Sequence, residues 1–286
     1  MEYTKEGTAK RYKGNRHCIF SDYTPNEKDT CQYGCEFEFY IDTNKVEYKK
    51  AIEEISKELF LLTPSDLLVD VLSLPLADDK DKCMQLKPDI SLKDTGIEIS
   101  TPSSSIEGIK HYIKTICTII DKYGYTNEET GFHIHISTIK NDGVNFNFYK
   151  YMLLCADADL LSSWEPRIGY SQNVMDILSQ HNKSTSRIIK TKKGTVWNLE
   201  KINSNHVEIK SIGGDNYHKE IDRMIYEFST YAKYFRETLE KNTDKHKRLI
   251  QEHKELVDSL SDKTKASFVS ALSAAGILST KRWVFN

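Results

Sequence analysis

Ionisable residues alternate with apolar residues in four well-separated segments of this sequence. The alternating pairs are Glu36 and Glu38, Glu98 and Ser100, His133 and His135, and Glu208 and Lys210. Carboxylates that crowd together repel one another and resist removal from water, and a divalent cation relieves both costs. Carboxylate oxygens with an imidazole suit Mg²⁺ or Mn²⁺, and Mg²⁺ commonly bridges the phosphates of a substrate. On one shared surface, these residues predict a divalent-metal site.

The residues around each pair predict the β-strand that positions it. Successive side chains of a strand point to opposite faces, so a period of two separates an apolar face from a polar face. In TGFHIHIS the apolar side chains share one face, and His133 and His135 share the other. Residues 33–42, 96–100 and 205–214 show the same alternation. We therefore expect four half-buried strands of one sheet, with helices packed on the apolar face.

Apolar residues at helical spacing predict the helices that cover this sheet. These helices are expected over residues 46–62, 104–124 and 145–165, and residues 219–261 are expected to be helix-rich. Serines suited to N-capping precede the second helix, and Gly124 ends it. A short strand or a buried turn is predicted within residues 67–76, and two short strands joined by KDTG within residues 87–102. Together these elements predict an α+β fold.

The composition indicates an ordinary soluble protein with a substantial core. The 286 residues are 38% hydrophobic and 29% charged, and the net charge of -2 does not imply a nucleic-acid partner. We find no secretory signal at the N-terminus, and Pro64, Asp66 and Asp70 interrupt the most apolar stretch too often for it to span a membrane. A cytoplasmic protein is predicted, and the sequence indicates no oligomeric state.

The six cysteines do not form paired CxxC units, and a disulfide framework is not expected without a signal peptide. His17, Cys18, Cys31 and Cys35 offer zinc-binding atoms, but their spacing is irregular and Cys35 falls inside a predicted strand. Reduced thiols are the simpler interpretation.

A purely structural explanation competes with the metal site. Antiparallel sheets often expose a solvated polar face, and an E-x-E or H-x-H pair alone is more often part of such a face than a ligand set. The occurrence of both motifs on strands backed by Phe and Ile favours the metal site.

With these residues in view, the sequence resembles the amidoligase family, a group of glutamine synthetase-like carboxylate–amine ligases. The resemblance runs from residue 34 to residue 214 and consists of five motifs in the family's order, none of them decisive alone. They are GCEFEF, DISLKDTGIEISTP, TGFHIHIS, EPRIGYSQN and WNLEKINSNHVEIKSIGG.

The resemblance implies a curved antiparallel sheet of the glutamine synthetase type that binds ATP and two Mg²⁺ or Mn²⁺ ions. It divides the chain into an irregular arm (residues 1–32), an amidoligase-like catalytic sheet domain (33–216) and a helical C-terminal region packed on that domain (217–286). The implied reaction joins a carboxylate to an amine, each carried by a small molecule or a peptide, through an acyl phosphate.

The resemblance also implies a role for each matching residue. The metal ligands would be Glu36, Glu38, Glu98, His133 and Glu208. His135 would contact the nucleotide phosphates, Arg167 would contact phosphate or the acidic substrate, Asn198 would help to position the nucleotide, and Asp89 would support the second motif. Lys210 and Arg167, with Glu208, would carry the catalytic step.

Lys210 departs from the family pattern, in which an arginine stands two residues after the glutamate. Lysine is a point charge without the bidentate fork of arginine, so Arg167 or Arg187 would have to compensate. A metal-dependent phosphotransferase or phosphoesterase and a non-catalytic nucleotide-binding relative therefore remain as alternatives. Residues 179–194 are the predicted cover that keeps water from the intermediate.

Overall fold

A computed structural model of the protein describes residues 10–12, 25, 29–69, 82–139, 144–160, 164, 196–198, 204–241, 261–264 and 266. These residues form a mixed α/β fold with a largely antiparallel open sheet and a few helices. The predicted combination of strands and helices is thus confirmed at this level. No helix in the described ranges is long and apolar enough to cross a membrane.

The strands of the main sheet occur in the order β1-β3-β4-β5-β2-β7-β10-β9, and β6 pairs with β2 beside this row. Their bounds are β1 Lys10–Tyr12, β2 Cys31–Ile41, β3 Leu67–Val69, β4 Met84–Pro88, β5 Gly96–Ser100, β6 Gly124–Tyr125, β7 Gly131–Thr138, β9 Trp197–Asn198 and β10 His206–Gly213. A second sheet contains β8 Val144–Phe146 and β11 Leu239–Lys241. The four strands that carry the ionisable pairs are consecutive in the main sheet, as β5, β2, β7 and β10.

The apolar faces of these strands form part of the core. Phe37, Ile99 and Ile134 are fully buried, as are the other apolar members of the alternating runs. Phe37 on β2 packs against Phe132 on β7, with ring centroids 4.7 Å apart. Burial of this apolar surface is the main force that holds the strands together, and it fixes which face the polar residues occupy.

Four α-helices are described: α1 Tyr48–Leu62, α2 Ile106–Tyr123, α3 Phe148–Asp157 and α4 Ile221–Glu237. The Ser105 side chain accepts a hydrogen bond from the Gly108 amide at the start of α2, as predicted. Gly124 ends α2 in an extended conformation. Helix α2 packs against β2, and α1 packs against α2 and β3.

The chain divides into two compact units, each described by itself. The first contains the described residues of 1–135 and 212–226, and the second those of 136–211 and 227–286. In the first unit Gly214 donates to the Thr130 carbonyl, which joins the ends of β7 and β10. In the second unit the ring of Phe146 stacks on that of Phe235 with centroids 4.5 Å apart.

Several elements differ from the sequence-based expectation. The segment predicted to be an irregular arm contains β1 and the start of β2, and the region predicted to be helical contains β11 after α4. The first of the two short strands begins at Met84, earlier than predicted, and β8 occupies the start of the third predicted helix. Three of these strands have only three residues, too few to show a period.

Candidate metal centre

Two neighbouring strands of the first unit bring together two carboxylates and two imidazoles. Nδ1 of His133 lies 3.2 Å from Oε2 of Glu36, and Nε2 of His133 lies 3.5 Å from Oε1 of Glu38. Nε2 of His135 lies 3.4 Å from Oε1 of Glu36. Glu36 therefore lies between the two rings that the H-x-H motif places on one face of β7.

The distances from Glu36 to the two rings are compatible with ligands of one divalent ion. Ligand atoms about 2.1 Å from an octahedral ion lie about 3 Å from one another, close to the separations in this cluster. Glu36 and His135 each offer one such ligand atom. The donor set of carboxylate oxygens and imidazole nitrogens, without a thiolate, differs from the cysteine-rich set of most structural zinc sites and is open to several divalent ions, Mn²⁺ among them.

Three residues of this polar face are almost entirely removed from water, while Glu36 and His135 are half-buried. Glu38, Glu98 and His133 are exposed by only 7%, 8% and 5%. Carboxylates are seldom buried to this extent unless they are paired. The burial therefore argues against a solvated polar face as the reason for the E-x-E and H-x-H motifs.

Glu98 joins the cluster through the register of β5 with its two neighbours. It lies opposite Glu38 on β2 and opposite Lys87 on β4. Its Oε1 atom is 2.9 Å from Nζ of Lys87 and also accepts a hydrogen bond from the Ser100 hydroxyl. The residues Lys87, Glu98 and Glu38 thus lie side by side across three strands, with a partly buried ion pair between Lys87 and Glu98.

Lys87 was missed by the sequence-based reasoning, although a signal for it exists. In MQLKP the apolar side chains of Met84 and Leu86 are buried, while Gln85 and Lys87 are half-buried. This is the same alternation that reveals the other strands, but it covers only five residues and ends in a proline.

The electrostatics of the cluster separate its carboxylates. Burial by itself would raise the pKa of Glu36, but hydrogen bonds and charge from His133 and His135 outweigh it and hold this pKa well below its usual value. Burial and the charge of Glu36 raise the pKa of Glu98, against the opposing effects of Lys87 and Ser100. Burial would lower the pKa of Lys87, yet the nearby Glu98 carboxylate raises it. Glu36 is therefore ionised more readily than Glu98.

Glu208 lies in the second unit, on β10, with two of the predicted site residues around it. The Asn198 amide on β9 donates to Oε2 of Glu208 at 2.7 Å, and Nζ of Lys210 lies 2.8 Å from Oε1. The pairing of β9 with β10 places Glu208 directly opposite Asn198. Both residues that the N-L and E-x-K positions single out therefore contact this carboxylate.

Asp89, predicted to support the second motif, lies in the turn that follows β4. Asp89 accepts hydrogen bonds from the amide and the hydroxyl of Ser91, each at 2.7 Å, and so stabilises the turn between β4 and β5. Arg167, Arg187 and the predicted cover at 179–194 fall outside the described residues. So do His17 and Cys18 of the alternative zinc site, whereas Cys31, Cys35 and three other described cysteines form no disulfide bond with one another.

The fold and the cluster define a class of protein: a mixed α/β protein with a largely antiparallel sheet whose polar face holds a candidate metal centre of carboxylates and imidazoles. No protein-family model matches the chain, and no curated protein matches it.

Proposed function

We propose that this protein is an ATP-dependent carboxylate–amine ligase that requires Mg²⁺ or Mn²⁺. The observation that carries the proposal is the placement of Glu36 between His133 and His135 on neighbouring strands, with Glu38 at the same cluster. The amidoligase-like order of the motifs supplies the reaction class. A glutamine synthetase-like form of the sheet and the transfer of a phosphoryl group from ATP are parts of this proposal.

The proposed ligands of the first ion are Glu36, Glu38 and His133. In the structure the His133 ring lies between the two carboxylates, with Nδ1 3.2 Å from Glu36 and Nε2 3.5 Å from Glu38. The resemblance adds Glu98 and Glu208 to the ligands. When bound, the ion would supply positive charge that offsets the negative charge of the nucleotide phosphates. His135, beside Glu36 and more exposed than His133, is the proposed contact to the nucleotide phosphates.

The proposed reaction explains why cationic and hydrogen-bonding groups are needed at this surface. A carboxylate is a poor acyl donor because its leaving group would be an oxide. Attack of the carboxylate oxygen on the γ-phosphorus of ATP gives an acyl phosphate and ADP, and an amine then displaces phosphate to give the amide. The residues contribute by holding two anions close together, a task of positioning and charge neutralisation. In this scheme Lys210, Arg167 and Asn198 help to position the phosphates.

The contact of Lys210 with Glu208 favours a second candidate, a nucleotide-binding relative that has lost catalysis. An ammonium 2.8 Å from a carboxylate that should bind metal offsets the negative charge that attracts the ion. A phosphotransferase on the same metal site is the third candidate. These proteins differ in what they consume and release, so a product assay separates them.

The experiment incubates the full-length protein with ATP and Mg²⁺, pooled carboxylates and pooled amines, and identifies products by mass spectrometry. A ligase releases ADP and phosphate only when both cosubstrates are present, and it forms a product of amide mass. The E36Q variant should lose this activity, whereas E54Q, which changes an exposed glutamate of α1, should keep it. Formation of a phosphorylated acceptor without an amide would establish the phosphotransferase instead, and ATP binding without turnover would establish the non-catalytic relative.

A further inference from the structure

Lys87 brings a positive charge to the polar face that the proposed metal site occupies. Lys87 lies on β4, and β5 separates this strand from β2, which carries Glu36. The pairing of β4 with β5 places Lys87 directly opposite Glu98. The side chain is 22% exposed and ends 2.9 Å from Oε1 of Glu98. Most of the lysine is thus held against the sheet, with its ammonium fixed on one carboxylate oxygen.

The same oxygen of Glu98 is used twice. It receives the Lys87 ammonium and the hydrogen bond from the Ser100 hydroxyl. An ion that coordinates this atom must share it with both groups or displace them, because a bound Mg²⁺ or Mn²⁺ approaches a carboxylate oxygen far more closely than an ammonium does. A cation brought to Oε1 would also be repelled by the ammonium 2.9 Å away.

The charges around Lys87 explain why it stays on Glu98. The ammonium lies 2.9 Å from Oε1 of Glu98, and Glu98 in turn lies opposite Glu38 in the pairing of β5 with β2. The lysine ammonium and a divalent ion would therefore both neutralise carboxylates that are removed from water.

We propose that Lys87 is the internal counter-ion of Glu98 and competes with a divalent cation for this carboxylate. This inference rests on the metal site of the proposed function. It makes Lys87 a positioning residue that determines how strongly the β5 end of the cluster binds metal. In the wild-type chain, the ammonium takes the electrostatic role that a second ion would have at Glu98.

The test is a titration of the whole chain with Mn²⁺ alone. Calorimetry, or the electron paramagnetic resonance signal of free Mn²⁺, gives the Mn²⁺ affinity. Three variants are compared with the wild type. K87M removes the charge, K87Q removes the charge but leaves a hydrogen-bond donor for Glu98, and K87R keeps the charge. Circular dichroism checks that each variant is folded. If K87M does not fold, K87Q still tests the removal of the charge.

We expect K87M and K87Q to bind Mn²⁺ about tenfold more tightly than the wild type, a change of about 1.4 kcal/mol. K87R should stay within about twofold of the wild type. The gain should disappear in the K87M/E98Q double variant, because it depends on the carboxylate that Lys87 releases. A purely structural role of Lys87 would leave the affinity unchanged or weaken it.

The two proposals fail in different ways. If the wild type binds Mn²⁺ and the charge-removing variants bind it equally or more weakly, the competition is wrong and the metal site stands. If neither the wild type nor any variant binds Mn²⁺, the metal site of the proposed function is wrong, and the role of Lys87 falls with it.

Discussion

Glu36 is the residue on which the cluster depends most, because each of its oxygens faces a different imidazole. Replacement by glutamine keeps the shape but removes the charge that a cation needs. We expect E36Q to weaken Mn²⁺ binding at least a hundredfold and to lower the melting temperature by only a few degrees, since an amide can still contact the rings. Calorimetry with Mn²⁺ and thermal unfolding measure both quantities. The exposed substitution E54Q is the matched control, and equal Mn²⁺ affinity of E36Q and E54Q would contradict the assignment.

His218 offers a second test on a single residue, away from the metal site. Its ring lies 3.0 Å from the Thr126 hydroxyl and 3.6 Å from Asp121. Burial lowers the pKa of His218, and the attraction of Asp121 only partly offsets this effect. Because the unfolded chain then binds the proton more readily, stability is complete above the ordinary pKa of 6.5 and falls as the pH drops below it.

The consequence is measured by urea unfolding at pH values between 5 and 8. In the H218Q variant the free energy of unfolding should fall less between pH 7 and pH 5.5 than in the wild type. The difference between the two curves isolates His218 from the other histidines. Parallel curves would show that burial of this ring carries no pH dependence.

The individual site residues were predictable from sequence wherever a strand was long enough to show a period. Glu36, Glu38, His133 and His135 lie on runs of eight residues or more, and the structure brings these four together. Lys87 was not predicted, because its five-residue strand is recognised as part of the sheet only through its pairing with β5. Such pairings join residues far apart in the sequence, and nothing local records them.

The helix–strand junction at Gly124 shows how one element constrains another. A Cβ atom at this position would lie 2.3 Å from the Tyr40 carbonyl oxygen and 2.8 Å from the Phe39 ring. The backbone of β2 cannot yield easily because it is paired on both sides. We expect G124A to destabilise the protein by about 1–3 kcal/mol through this overlap.

Chemical denaturation measures that loss, and G34A is the matched control. A Cβ atom at Gly34 would meet its nearest neighbour, Cβ of His135, at 3.7 Å, an ordinary contact. Neither glycine needs a left-handed conformation, so the two variants differ in packing rather than in backbone strain. Equal stability of G124A and G34A would show that the junction can relax.

Whether a helix or strand could be predicted also depended on whether its signal is local in the sequence or lies in its pairing with a distant strand. Helices α1 and α2 were predicted with their ends nearly correct, because the apolar stripe and the Ser105 cap are local signals. Strands β1 and β11 were not, because three residues that pair with a distant strand carry no pattern of their own. Strands β2 and β7, which carry the candidate site, are long enough to show a local pattern and were therefore predicted.

At the scale of the whole molecule, the cluster predicts that stability depends on divalent cations. Carboxylates held together without a metal ion repel one another, and an ion that binds only the folded chain stabilises it by mass action. At a concentration of one hundred times the dissociation constant, this stabilisation is about 2.7 kcal/mol. For a chain of this size, each kcal/mol raises the melting temperature by about 2–4 °C.

Thermal unfolding with and without Mn²⁺ or Mg²⁺, at ionic strength matched with KCl, measures the effect. The wild type should gain several degrees, and EDTA should reverse the gain. E36Q should lose most of it, whereas E54Q should retain it. A gain of equal size in E36Q would mean that the ions act at other carboxylates of this chain, and the cluster on β2 and β7 would then owe its burial to the ion pairs alone.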